Sequence, residues 1–275
     1  MVSRIARLFL TLSLGAMLLS GCSNMFFYPS DTRYVTPDQL NLDFEEVLLD
    51  STDGERLYGW WLPAEGDAKG TVYYLHGNAQ NISAHIINVS WLPREHYNVF
   101  LIDYRGFGYS TGDPDLEGAL LDARAGLEWT RKRAGDQPLF VLGQSLGGAL
   151  AIVTLGQQDA PTTNGLIVDG ALSGFRDIAR EKLDGSWLTW PFQTPLSWTI
   201  PDDYEPVDYI DRIHQPLLVI HSRRDPVVPY HHGVRLYDAA SKPKRFIATQ
   251  TPHAATFIVP EYREAVLDFM AKYAD

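Results

Sequence analysis

The sequence predicts an α/β fold, with a mostly parallel central sheet, helices on both faces and a short cap insertion. Three observations carry this expectation. Short apolar runs rich in branched residues alternate with helical stretches along most of the 275 residues. The run Pro138 to Leu142 enters Gly143-Gln144-Ser145-Leu146-Gly147 and leaves through Gly148-Ala149-Leu150-Ala151, which reads as strand, sharp turn and helix. Far downstream, Asp225 and His253 each follow a strand, in the order acid then histidine that such a turn calls for.

The chain begins with a targeting pattern. Arg4 and Arg7 form a basic start, Leu8 to Leu19 is apolar, and Leu19-Ser20-Gly21-Cys22 closes it. The last four residues resemble a bacterial lipobox, in which the chain is cut before the cysteine and the cysteine is lipidated. Cys22 is the one cysteine of the chain. About twelve apolar residues span ~18 Å as a helix, short of the ~30 Å hydrocarbon core, so a spanning helix is the poorer reading. Residues 1–21 are therefore expected to be a lipoprotein signal peptide and 22–43 a lipidated tether packing on the domain. Ser23 is not the aspartate associated with inner-membrane retention. This points to the outer membrane of a bacterial envelope, facing the periplasm.

Residues 44–275 are expected to form one domain. Phe44 to Leu49 and Arg56 to Leu62 read as antiparallel strands joined through the turn Ser51-Thr52-Asp53-Gly54. The parallel run follows: Thr71 to Leu75, Asn98 to Asp103, Pro138 to Leu142, Gly165 to Asp169, Pro216 to Ile220 and Lys244 to Thr249. Helical stretches alternate with them: Ile82 to Glu95, Leu116 to Arg133, Leu146 to Gly156, Tyr230 to Ala240 and Glu261 to Tyr273. Residues 171–213 exceed a usual crossover. They hold Trp187, Trp190, Phe192 and Trp198 with Pro191, Pro195 and Pro201. Apolar walls near strand ends suit a binding pocket, so this stretch is expected to form a cap.

Ser145 is the candidate nucleophile at the centre of the turn. Serine is a weak nucleophile at neutral pH, and His253 would take its proton while Asp225 fixes the imidazole tautomer. Asp169, at another strand end, is the rival acid. Acyl transfer also needs donors for the developing oxyanion. The backbone N–H of Leu146 is one candidate. The N–H of Asn78, in His76-Gly77-Asn78-Ala79 after the third strand, is the other. The ring of His76 is expected to brace that loop.

Three blocks resemble a known family: His76-Gly77-Asn78-Ala79, Asp103-Tyr104-Arg105-Gly106-Phe107-Gly108-Tyr109-Ser110-Thr111-Gly112, and the turn at Ser145. The chain is similar to α/β-hydrolases of the single-domain serine hydrolase branch, which includes membrane-associated esterases, thioesterases and depalmitoylase-like proteins. The resemblance covers roughly residues 45–272. It implies an α/β-hydrolase fold and cleavage of an ester or thioester through an acyl-enzyme, with a small molecule or acyl group as substrate. In the second block it implies a structural glycine-rich turn, with Arg105 holding neighbouring loops. Pro252 departs from the glycine usual before the base. An amidase or aminopeptidase could use the same triad, and a non-catalytic lipoprotein scaffold could retain the fold.

Composition narrows the partners. The net charge is −11, from 23 basic and 34 acidic residues. Loss of residues 1–21 would remove Arg4 and Arg7 and no acid, giving −11 − 2 = −13. Such a surface repels nucleic acid, and no basic cluster offsets it. The sequence carries no phosphate-binding loop, no dinucleotide fingerprint and no Cys/His cluster at metal-ligand spacing, so no cofactor and no metal is expected. His231 and His232, adjacent at a helix start, are expected to point apart on the surface.

Overall fold

The computed structural model describes residues 26–184 and 202–274. Cys22 and the signal segment, and Trp187, Trp190, Phe192 and Trp198 of the expected cap, lie outside the described residues. In chain order the strands are β1 (Tyr28–Pro29), β2 (Glu45–Asp50), β3 (Arg56–Leu62), β4 (Gly70–Leu75), β5 (Ala79–Gln80), β6 (Tyr97–Ile102), β7 (Leu139–Gln144), β8 (Gly165–Asp169), β9 (Leu217–Ser222) and β10 (Lys244–Thr249). The described α-helices are α1 (Ile82–His85), α2 (Leu116–Ala134), α3 (Leu146–Leu155), α4 (Phe175–Asp184), α5 (Tyr230–Ala239) and α6 (Pro260–Lys272). Eight strands form the main sheet, in the order β10-β9-β8-β7-β4-β6-β3-β2. The β2–β3 and β3–β6 pairs are antiparallel and the remaining pairs of this sheet are parallel. A small parallel pair, β1 with β5, sits apart from it.

The strand sequences explain this layering. β4, β7 and β8 are buried along their full length, because helices cover both faces of a parallel sheet. Alternate residues serve opposite faces. Tyr73, Leu75, Phe100, Ile102 and Val141 join one core layer, and Val72, Tyr74, Val99, Leu101 and Leu142 the other. α2 and α3 pack on the first face through residues such as Leu120 and Leu150. α6 packs on the second through Val266, Phe269 and Met270. α2 has clear ends. The Asp115 carboxylate accepts from Gly118 N at 2.9 Å, and Gly135 stops the helix at φ 59° with Arg131, Lys132 and Arg133 in the last turn.

One element departs from expectation. The helix expected over Ile82 to Glu95 is broken into α1 and two 3-10 turns, Ile86–Asn88 and Pro93–Glu95. Trp91 Nε1 donates to Asn88 O at 2.8 Å, taking a carbonyl that a helix would use. Pro93 has no N–H to continue the ladder.

Candidate active site

The site lies at the carboxyl ends of the parallel strands, where strand ends and helix starts converge. Ser145 stands between β7 and α3 at φ 55°, ψ −119°, a conformation that costs a non-glycine residue energy. Packing holds it there. A Cβ on Gly143 would meet Gly147 O at 2.5 Å, and one on Gly147 would meet Leu75 O at 2.1 Å. Strand and helix can approach this closely only because both residues are glycine.

The three sequence-predicted residues meet. His253 Nδ1 lies 2.6 Å from Asp225 Oδ2, and His253 Nε2 lies 3.0 Å from Ser145 Oγ. An ionised carboxylate only accepts, so Nδ1 carries the proton and Nε2 is left to receive one from serine. The other Asp225 oxygen, Oδ1, accepts from Val227 N at 2.8 Å and Val228 N at 2.9 Å. Burial works to raise the Asp225 carboxyl. The His253 hydrogen bond and charge, with the two amides, outweigh it and hold the carboxyl below its ordinary value. Gly170, at φ 62°, leaves room for the pair: a Cβ there would lie 3.3 Å from the His253 ring.

Asp169 is placed differently. It is buried, and its oxygens accept from Gln144 Nε2 at 2.9 Å and Thr256 Oγ1 at 2.8 Å. Burial pushes its carboxyl up, despite those donors. It ties the strand before Ser145 to the turn after His253 and does not touch the imidazole.

The oxyanion candidates face the same cavity as Ser145. Leu146 opens α3, so its N–H is among the first-turn donors without a helical partner. The loop carrying Asn78 is held carbonyl by carbonyl. Tyr104 Oη donates to His76 O at 3.0 Å, and His76 Nδ1 to Gly77 O at 2.7 Å. Tyr28 N donates to Asn78 O at 2.8 Å, His85 Nε2 to Ala79 O at 2.9 Å, and Ser30 N to Gln80 O at 3.0 Å. A trans peptide points its N–H away from its C=O, so fixing Gly77 O behind the loop fixes the direction of the Asn78 N–H. His76 therefore braces the loop, as the sequence suggests. Its Nε2 lies 3.4 Å from Asp103 Oδ1 in a fully buried pair. His85 was not singled out in the sequence. Burial lowers its pKa to about 3, so it stays a neutral donor.

The cavity beside Ser145 holds about 240 Å³ and has mostly apolar walls. Leu172, Ile178 and Ala179 come from the described part of the expected cap, Val227 and Val228 from the acid loop, and Phe26 and Tyr28 from the tether. Lys182 of α4 stands at the rim. The tether's share of the wall was not legible in the sequence, because nothing in residues 26–32 marks proximity to a site some 120 residues away.

Arg105 holds loops together as expected. It forks onto Asp122 at 2.8 Å and Asp53 at 2.7 Å, the latter in the β2–β3 turn. Burial opposes its charge, and the two carboxylates raise its pKa overall.

The histidine pair corrects an expectation. His231 is exposed, but His232 is buried and the two rings stack at 4.6 Å. Glu181 of α4 meets both, at 2.9 Å from His231 Nε2 and 3.1 Å from His232 Nε2. Three candidate ligand residues thus come within metal-binding reach of one another. The tautomer argues against such a use. Ser173 N donates to His232 Nδ1 at 3.0 Å, so the ring proton sits on Nε2 and goes to Glu181. That nitrogen then has no lone pair for a metal ion. The cluster pins α4 onto α5.

A sequence profile described as "Serine aminopeptidase, S33" matches residues 66–195. YfhR of Escherichia coli O157:H7 is 37% identical over 231 residues, covering 82% of this chain and 77% of that protein. The α/β-hydrolase domain-containing protein WAV2 of Arabidopsis thaliana is 30% identical over 255 residues, covering 87% of this chain and 82% of that one. Among solved structures, the Pyrococcus furiosus esterase Pf2001 superposes with a TM-score of 0.73 at 23% identity, over 91% of this chain and 99% of that one. That last likeness bears on the fold alone. Profile, relatives and sheet order agree, and the chain belongs to the α/β-hydrolase superfamily, in one family with YfhR and WAV2.

Proposed function

We propose that this chain is a serine hydrolase that cleaves an ester or thioester of an acyl group, held at a membrane by lipid on Cys22. The observation that carries the reading is the Ser145–His253–Asp225 hydrogen-bond chain opening on an apolar cavity. Ser145 Oγ attacks the acyl carbon as His253 Nε2 takes its proton. The N–H groups of Asn78 and Leu146 receive the oxyanion. His253 returns the proton to the leaving alcohol or thiol, and the acyl-enzyme forms. Water repeats the sequence, its proton passing to His253 and then back to Ser145 as the acid departs.

An aminopeptidase is the second reading, favoured by the profile's description. A free α-ammonium needs a carboxylate in the pocket. Among the described residues the wall offers none, and its charged group is the cation Lys182. This favours a neutral or anionic acyl substrate. From Cys22 to Phe26 is four residue steps, at most about 14 Å of extended chain. A lipid on Cys22 would thus keep the cavity near the membrane face, here proposed as the periplasmic side of a bacterial outer membrane.

A fluorophosphonate probe and a panel of nitrophenyl esters of increasing acyl length test the reading. Labelling of the wild type, loss of it in Ser145→Ala, and turnover of esters over aminoacyl-nitroanilides are expected. Faster release of nitroaniline than of any nitrophenol would move the assignment to the peptidase reading.

A further inference from the structure

We propose that residues 26–32 are a working part of this site: their main chain positions the oxyanion loop, and Phe26 and Tyr28 set which acyl group fits. The inference rests on the acyl-hydrolase reading above. The strap and the loop are stitched in both directions. Tyr28 N and Ser30 N donate to Asn78 O and Gln80 O at 2.8 and 3.0 Å. Asn81 Nδ2 donates back to Ser30 O at 2.7 Å and Thr32 O at 2.8 Å, and Gly108 N to Ser30 O at 3.2 Å. The other carbonyls of residues 76–80 are held from inside the domain, by Tyr104, His76 and His85. The strap holds the remaining two, Asn78 O and Gln80 O, and so fixes the peptide that follows the Asn78 N–H, whose own direction His76 sets through Gly77 O. The chain turns at Phe26 and becomes extended at β1, so neighbouring side chains face different ways. Phe27 is buried against Phe107, at 6.2 Å between ring centroids, while Phe26 and Tyr28 line the cavity. Phe26 also packs edge-on against Phe175 at 5.4 Å, where α4 begins. The strap therefore joins the oxyanion loop to the cap helix across the acyl pocket.

The test compares four variants in the full-length protein. Tyr28→Pro removes the N–H that holds Asn78 O, whereas Tyr28→Ala keeps it and removes only the wall. Tyr28→Pro is expected to lower kcat roughly tenfold to a hundredfold relative to Tyr28→Ala, with KM the same in both, since a misaimed donor costs less than a deleted one. Hydrogen exchange of residues 76–81 should quicken in Tyr28→Pro alone. Phe26→Ala should move the preferred ester to longer chains and Phe26→Trp to shorter ones. Equal kcat and equal exchange in the two Tyr28 variants, or an unmoved chain-length optimum in both Phe26 variants, would overturn the proposal. A wild type that turns over no ester, with exchange still quickened in Tyr28→Pro, would sink the acyl-hydrolase reading and leave the clamp standing.

Discussion

At the scale of single residues, the proposed triad was readable because its chemistry fixes residue types and their order. The sequence favours Asp225 as the partner of His253 and leaves Asp169 as a rival, since both end strands. The geometry favours Asp225 as well. Asp225 lies 2.6 Å from the imidazole, while Asp169 accepts from Gln144 and Thr256. Asp225→Asn is expected to lower kcat on a nitrophenyl ester by roughly 10²–10⁴-fold, through the wrong imidazole tautomer. Asp169→Asn should lose far less, and the reverse ranking would transfer the acid role. Asp225 also predicts a pH dependence of stability. Its folded pKa is depressed below the ordinary value of about 3.9. Its stabilisation is therefore full above that value and is lost as pH falls through the depressed one. Urea midpoints measured from neutral pH downward should show a shallower acid limb in Asp225→Asn than in the wild type.

At the scale of elements, close approach of strand and helix sets the sharpest constraints. A Cβ on Gly147 would press on Leu75 O at 2.1 Å, a backbone atom that cannot turn aside. Gly147→Ala should cost about 1–3 kcal/mol of unfolding free energy, as overpacking does, and should also slow Ser145 labelling by distorting the turn. A Cβ on Gly135 meets nothing within 4 Å, although its φ is +59°. Gly135→Ala should therefore cost only the backbone strain, about 1–3 kcal/mol, and leave labelling unchanged. Arg105 links β2–β3 to α2 through Asp53 and Asp122. Arg105→Ala would leave the fully buried Asp122 carboxylate without its cation. A loss of about 3–5 kcal/mol is expected by chemical denaturation.

At the scale of the whole molecule, the proposed anchor and the proposed catalytic groups separate near residue 26. Every proposed catalytic group lies beyond residue 75, so deletion of residues 1–22 should give a soluble protein that still labels at Ser145. Cys22→Ser should prevent lipid attachment. The wild type should need detergent for release from membranes, because a diacylated cysteine holds where one chain would not. Mass spectrometry of the wild-type membrane form reads this directly. An unmodified Cys22 or a retained Met1 would overturn the lipid anchor.

The sequence by itself determined the parallel sheet, the glycine-flanked turn at Ser145 and the order of the candidate triad. These are local: each strand is a buried apolar run, and Gly143-Gln144-Ser145-Leu146-Gly147 encodes its turn in five neighbouring residues. Local signals also misled. Ile82 to Glu95 looked helical because apolar residues dominate it, yet Trp91, Asn88 and Pro93 break it. His232 looked like a surface neighbour of His231, yet it is buried between Ser173 and Glu181. Only the tertiary structure decided the wall of the pocket, the separate hydrogen-bond partners of Asp169 and Asp225, and the clamp of Tyr28 on Asn78. Each is a contact between residues far apart in the chain. Periodicity and propensity describe a residue's near neighbours, whereas such contacts depend on how whole elements stack.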